Sequence, residues 1–146
     1  GKVDDYFIIH LMKPARMPEV KITLKASYLM CENEPRFVLH GTEGSYVKYG
    51  LDPQEADLTK GMLPDTPHWG EEDESQWGIL HTETDGNVVR KPYPTLPGNY
   101  AAFYENIYQH IRNGAVLQSD ACGVLGVIRL IEAAWESSRT GNVIKL

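Results

Sequence analysis

The 146-residue sequence contains no hydrophobic run long enough to cross a bilayer. Its longest apolar stretches, such as residues 6–12, fall far short of the roughly 20 residues that a membrane helix needs. The N-terminal region also has no hydrophobic segment typical of a signal peptide. These absences predict a cytoplasmic protein that does not bind membranes.

Cysteine and positive charge are both scarce. Cys31 and Cys122 are the two cysteines, on different predicted elements. They could pair in principle, but two buried free thiols are the favoured interpretation in a cytoplasmic protein. The chain has 14 Lys and Arg against 20 Asp and Glu, a net charge of −6. Without a basic stripe to release counterions, nucleic acid is not an expected partner.

A phosphate-binding glycine loop is also missing. Residues 40–55, "HGTEGSYVKYGLDPQE", carry three glycines, but Gly41 and Gly44 do not match G-x-G-x-x-G. A phosphate cradle requires a helix start after the glycines, whereas residues 45–49 are aromatic and β-branched and favour a strand. The segment therefore predicts a hairpin. No G-x-S-x-G nucleophile motif occurs either.

The composition, 42% hydrophobic and 23% charged, fits one soluble globular domain. Periodicity and turn residues predict six strands before the main helices, with the run at 6–12 more central and the strand containing Pro92 and Pro94 at an edge. The predicted strands cover residues 6–12, 20–30, 36–40, 45–49, 77–84 and 88–94, with Asp85-Gly86 as a tight turn.

Helical spacing predicts a short helix at 53–60 capped by Asp52, a helix at 99–113 ended by Gly114, and a last helix that starts at Ser119 or Asp120 and stops at 140–141. Residues 143–146 indicate a final short strand. Strands first and helices last predict an α+β fold: an open-faced, mostly antiparallel sheet with helices on one face.

Few residues suggest chemistry. No histidine or cysteine has the spacing of a zinc site, so no metal is expected. His10, His40 and His81 are interpreted as satisfied sheet residues and His110 as a solvated helix residue. The four acids at 71–74 are interpreted as a solvated charge run. No nucleophile is placed beside a base, and no catalytic residue is predicted.

The long irregular segment between residues 51 and 77 is the exception, because loops of this length are usually functional or packing arms. Trp69 and Trp77 flank its acidic run. Their indoles would either anchor the loop, which is favoured, or line a sugar pocket. His68 is the loop residue able to point at a ligand. His68 and Trp69 are therefore the candidate substrate-binding residues.

Three segments resemble the C-terminal domain of the Gfo/Idh/MocA oxidoreductases, the family of glucose–fructose oxidoreductase and inositol dehydrogenase. They are "GTEGSYVKYGLDPQEADLTKG", the following "HWGEE", and the terminal "VIRLIEAAWESSRTGNVIKL". "VDDYF" and "VKITLKASYL" also match, so the likeness covers nearly the whole chain. Cys122-Gly123 and Gly126 depart from the larger residues that the family prefers in the last helix.

Members of this family carry an N-terminal Rossmann domain with a glycine loop, an E-K-P lysine and a D-x-x-x-H histidine, none of which occurs here. The resemblance implies that residues 1–146 are a C-terminal fragment, inactive alone, with NAD or NADP bound by the missing domain. It also implies a homodimer or homotetramer formed through the sheet face, and loop ends that help to close the substrate pocket.

Two functions follow. The first is the substrate-side and oligomerisation domain of an NAD(P)-dependent oxidoreductase acting on a sugar or polyol. The alternative is a stand-alone, sheet-mediated binding or scaffolding module without catalysis. The first is favoured because the hairpin, the long loop and the terminal helix typical of the full enzymes are all retained.

Overall fold

The computed structural model describes residues 4–12 and 19–146, and its contacts divide the chain into two compact units. One unit comprises residues 1–33 and 119–146, and the other comprises residues 34–118. The elements are β1 (Tyr6–Met12), β2 (Lys21–Ser27), β3 (Phe37–His40), β4 (Gly44–Lys48), α1 (Gln54–Thr59), a 3₁₀ turn (Glu74–Gln76), β5 (Gly78–Thr84), β6 (Asn87–Tyr93), α2 (Ala101–Asn113) and α3 (Ala121–Thr140). The predicted α+β class and antiparallel strands are confirmed.

In the first unit, β1 and β2 form an antiparallel pair in which Tyr6 lies opposite Ser27 and Met12 opposite Lys21. His10 is bonded to Thr23 across the pair, with 3.0 Å between Nδ1 and Oγ1. In the described part of the chain β1 pairs with β2 alone, so its predicted central position is wrong. A run of apolar residues indicates that both faces of a strand favour burial, but it does not determine how many neighbouring strands pair with it.

Helix α3 begins and ends as its sequence predicts. The Asp120 carboxylate accepts a hydrogen bond of 2.7 Å from the backbone N–H of Gly123, and Gly141 adopts the left-handed conformation at φ 70°. The chain that follows, residues 143–146, has no regular structure. The predicted last strand is therefore wrong, because β-branched residues form a strand only where a neighbouring strand can pair with them.

Both cysteines are free and both are exposed. The prediction of free thiols is confirmed, but the prediction that they are buried is wrong. Cys31 follows β2 in an irregular segment, and Cys122 lies in the first turn of α3. Cysteine is a residue type that generally favours the protein interior. These two cysteines are exposed because one lies in a loop and the other in a terminal helical turn.

The second unit contains a four-stranded antiparallel sheet in the order β3-β4-β5-β6. The β3–β4 connection is a hairpin in which Gly41 N–H donates to the Gly44 carbonyl at 2.8 Å, as predicted. The β5–β6 turn has Asp85 and Gly86 at φ 51° and 77°, the pattern of a type I′ turn. Strand β6, which carries Pro92, lies at the edge as predicted.

Register divides the side chains of this sheet between two faces. Val38, Val47, Ile79 and Pro92 lie opposite one another on successive strands and form one apolar row. Lys48 follows Val47 and therefore projects from the other face. The row of four is called the valine row below.

Burial in the described part of the chain is unusual. No described hydrophobic residue is buried, and several large ones are strongly exposed, Leu96 and Val116 at 87% and 86% among them. The buried residues are Lys48, Gln54, Gly70 and Gly78, all in the unit of residues 34–118. No helix among the described residues is long and apolar enough to span a membrane. The best-packed positions are thus two polar side chains and two glycines, and three of the four lie on or beside the long loop.

Candidate functional site

The site is built on the segment of residues 61–77, called the arm, and on the start of α1. The Asp52 carboxylate accepts a hydrogen bond of 2.9 Å from the backbone N–H of Gln54. The Pro53 carbonyl in turn accepts from Asp57 N–H at 3.0 Å. The structure thus places the N-cap of α1 at Pro53, one residue after the Asp52 cap that the sequence predicts, and the Asp52 carboxylate instead accepts from the first residue of the helix.

Gln54 is the centre of a polar node and has no exposed surface. Its amide nitrogen donates to the two Asp52 carboxylate oxygens at 3.0 and 3.1 Å. Its amide oxygen accepts from the Trp69 indole N–H at 2.9 Å and from the Tyr100 backbone N–H at 2.8 Å. Every hydrogen-bonding group of the amide is used, and its orientation is fixed because one side faces an acceptor and the other faces two donors.

Two glycines bring the arm against the segment before α2. Gly98 N–H donates to the Gly70 carbonyl at 3.1 Å. A Cβ atom on Gly98 would lie 2.1 Å from Gln54 Nε2, and one on Gly70, whose φ is +72°, would lie 2.4 Å from the Gly98 carbonyl oxygen. Only glycine fits either position. The backbone of the arm therefore lies in direct contact with the backbone of the residues that precede α2.

A buried ion pair attaches the other half of the arm to the sheet. Lys48 Nζ lies 2.7 Å from Glu72 Oε2 and 2.9 Å from the Gln76 carbonyl, and the two side chains are 11% and 4% exposed. The interpretation of residues 71–74 as a solvated charge run is therefore wrong for Glu72. Nothing local in the sequence marks this acid as different from its neighbours, because its partner lies on β4.

Asp73, next in the acidic run, caps the 3₁₀ turn by accepting from Ser75 N–H at 2.9 Å. Hydrogen bonds from the Ser75 side chain and backbone lower the pKa of the Asp73 carboxyl below its ordinary value. Two neighbouring acids of one loop thus have different roles. Glu72 pairs with a lysine of the sheet, and Asp73 orders the backbone leading into β5.

The two candidate substrate-binding residues lie side by side in different environments. Trp69 is half-buried and its indole N–H is bonded to Gln54, as expected of an anchor. His68 has φ +63° and a side chain that is 81% exposed, with Nδ1 2.8 Å from Glu71 Oε2. A positive φ is uncommon for a residue other than glycine and draws attention to the position.

Two other histidines lie in β3 and in α2. His40 Nδ1 is 2.9 Å from Ser45 Oγ within the β3–β4 hairpin, and His110 Nδ1 is 2.6 Å from the Ala115 carbonyl. A shallow depression of about 390 Å³ is lined by the β3–β4 turn, Leu39, Tyr46 and Leu80, and His68 is not among its lining residues. Within the described ranges, no three His, Cys, Asp or Glu side chains group together as metal ligands would.

The family model described as "Oxidoreductase family, C-terminal alpha/beta domain" matches residues 2–146. This chain belongs to that family, the Gfo/Idh/MocA oxidoreductases, and the resemblance found in its sequence is confirmed.

Similar proteins agree with this membership. The scyllo-inositol 2-dehydrogenase (NADP(+)) IolW of Bacillus subtilis is 38% identical over 114 residues, which are 78% of this chain and 32% of that enzyme. The oxidoreductase C115.03 of Schizosaccharomyces pombe is 35% identical over 158 residues, covering 99% of this chain and 42% of that protein. The chain spans less than half the length of these relatives.

Solved structures show the same fold. A Bacteroides fragilis protein described as an oxidoreductase superimposes with a TM-score of 0.93 at 58% identity, covering all of this chain and 43% of that one. The Bacillus subtilis protein YvaA superimposes with a TM-score of 0.91 at 33% identity, covering all of this chain and 42% of the other.

Proposed function

We propose that this chain is the substrate-side and oligomerisation domain of an NAD(P)-dependent oxidoreductase that acts on a sugar or polyol. The observation that carries the proposal is the 38% identity, over most of this chain, to an enzyme named as a scyllo-inositol 2-dehydrogenase using NADP(+). In this proposal the dinucleotide is held by a separate N-terminal domain, and the present chain alone is inactive. Hydride transfer needs a cofactor held against the substrate, and the chain has no glycine loop for one.

The geometry of the arm supports a role beside the substrate. The node at Gln54 and the Lys48–Glu72 pair hold the arm at two places, while the His68 imidazole is left in solvent. A polar side chain on a fixed loop can donate or accept a hydrogen bond without first ordering that loop, which lowers the entropy cost of binding. Sugar and polyol hydroxyls are suitable partners for an imidazole.

His68→Asn in the whole protein that carries this domain is expected to lower kcat/KM for polyol oxidation by roughly tenfold. That factor corresponds to about one lost hydrogen bond to the ligand. Asparagine tolerates the positive φ, so the melting temperature should hardly change. The measurement is steady-state oxidation of a polyol panel beginning with scyllo-inositol, with NAD⁺ and NADP⁺.

His10→Asn is the matched control, because His10 is an exposed histidine of the other unit. It should leave kcat/KM unchanged. If His68→Asn and His10→Asn behaved alike, the arm would be a packing element and His68 would not contact the substrate.

Self-association through the sheet is the second part of the proposed function. The valine row lies on the face of the sheet opposite Lys48, and Val38 at its end is 47% exposed. Apolar side chains that cross all four strands in register form a patch suited to protein contact. Two copies related by a two-fold axis would bury the same patch on each other.

Val47→Glu is expected to shift a dimer or tetramer toward monomer, weakening association by at least roughly tenfold, because burying an unpaired carboxylate is costly. Sedimentation equilibrium at micromolar protein measures the change. Val116→Glu, at an 86% exposed residue outside the sheet, controls for the added charge. A monomeric wild-type protein at all concentrations would contradict this part of the proposal.

A further inference from the structure

His68 and Glu71 are exposed residues between neighbours that are anchored. Trp69 is bonded to Gln54 at 2.9 Å, Gly70 accepts from Gly98 at 3.1 Å, and Glu72 pairs with Lys48 at 2.7 Å. Three of the five residues from 68 to 72 are thus bonded to three separate segments of the chain, at residues 54, 98 and 48. The two that are not tied in this way point into solvent and contact each other.

The local backbone fixes the positions of the two side chains. Trp69 N–H donates to the Thr66 carbonyl at 3.1 Å, and Glu71 N–H donates to the His68 carbonyl at 3.2 Å. The His68 backbone is held at φ +63° between these two turn bonds. The positions of both Cα atoms are therefore defined by backbone hydrogen bonds and do not depend on the side-chain contact.

This placement changes the significance of the His68–Glu71 contact. An exposed pair on a flexible segment contributes little, since ordering two side chains and their backbone offsets the attraction. Here the backbone is already ordered, so only side-chain rotamers must be selected to form the 2.8 Å contact between Nδ1 and Oε2. The contact can therefore orient the imidazole even though it adds little to global stability.

The chemical consequence lies at the other ring nitrogen. In neutral histidine one nitrogen carries the proton and the other accepts hydrogen bonds. A carboxylate at Nδ1 selects the tautomer with the proton on Nδ1, which leaves Nε2 as an acceptor on the far side of the ring. An acceptor in that position suits a hydroxyl donor such as that of a polyol.

We propose that Glu71 is a positioning residue, which fixes the ring and tautomer of His68 so that Nε2 accepts a hydrogen bond from a substrate hydroxyl. This inference rests on the proposed function for its substrate, but the ring geometry can be tested without one.

The first test is ¹⁵N NMR of the histidine rings at pH 8, where histidine is ordinarily neutral. In the wild-type chain, the His68 ring should show a single tautomer with the proton on Nδ1. Glu71→Ala should give the mixture of tautomers of a free imidazole, and Glu71→Gln should not restore the single form, because its amide can accept from a protonated Nδ1 or donate to an unprotonated one. Glu74→Ala removes an acid from the same arm without touching His68 and should change nothing. A tautomer mixture in the wild-type chain would overturn the inference, whatever the activity.

The second test is a double-mutant cycle in the whole oxidoreductase, with kcat/KM for the polyol panel as the readout. Glu71→Ala should lower kcat/KM several-fold, and Glu71→Gln should recover only part of the loss, because its amide does not select one tautomer. Because Glu71 acts through His68, the double variant His68→Asn/Glu71→Ala should be no worse than His68→Asn alone.

The two proposals fail in different ways. If His68→Asn lowers kcat/KM and Glu71→Ala does not, the positioning inference alone is overturned. If His68→Asn has no effect, the proposed substrate contact is overturned, and the positioning role is overturned with it.

Discussion

Gln54→Glu is expected to lower the free energy of unfolding by about 3 to 5 kcal/mol, one of the two largest effects that the structure predicts. The substitution changes almost no volume, but it replaces a donor that lies 3.0 and 3.1 Å from the Asp52 oxygens with an acceptor. Two carboxylates would then face each other at a residue with no exposed surface. The Trp69 and Tyr100 N–H donors can satisfy only one oxygen of the new side chain, so the other remains unpaired.

Urea unfolding followed by tryptophan fluorescence measures this loss, because Trp69 is bonded to the node. Gln118→Glu makes the same chemical change at an exposed residue and should cost less than about 0.5 kcal/mol. The deficit of Gln54→Glu should shrink at about pH 4, where a protonated carboxyl can donate to Asp52. Equal stability of the two variants would show that Gln54 does not organise the node.

Gly70→Ala is expected to destabilise the chain by roughly 3 kcal/mol. About 1 kcal/mol comes from placing a Cβ on a residue at φ +72°. The larger part comes from the contact of 2.4 Å that this Cβ would make with the Gly98 carbonyl oxygen. That oxygen belongs to backbone and cannot rotate away, so the arm must move and lose its hydrogen bond to Gly98.

Gly61→Ala separates these two contributions. Gly61 is in the same arm at φ +82°, but a Cβ there has no neighbouring atom within 4 Å. Gly61→Ala should therefore lower the free energy of unfolding only by the backbone contribution of about 1 kcal/mol. The difference between the two variants in urea unfolding measures how closely the arm packs against residue 98. Similar losses for both variants would mean that the arm is loosely attached there.

Local signals in the sequence predicted most of the elements. The Asp85-Gly86 turn, the Asp120 cap and the glycines at 114 and 141 all lie where the sequence predicts them. Each depends on the φ preference or the hydrogen bonds of a residue within its own turn. The family could also be identified from segments spread along nearly the whole chain. Where pairing with a distant strand was needed, as at residues 6–12 and 143–146, the local signal was insufficient.

The candidate site shows what the sequence alone did and did not determine. Trp69 and His68 could be selected from the length and composition of their loop, and the interpretation of Trp69 as an anchor is supported by its bond to Gln54. Tertiary structure alone determined three other features of the site. They are the hydrogen bonds of Gln54, the Lys48–Glu72 ion pair and the contact of Gly70 with Gly98. Glutamine, lysine and glutamate are ordinarily surface residues, and these three side chains are almost wholly enclosed here only because partners from other segments of the chain reach them. A polar side chain becomes stable in the interior when distant donors and acceptors reach it together, and that condition is set by the folded chain.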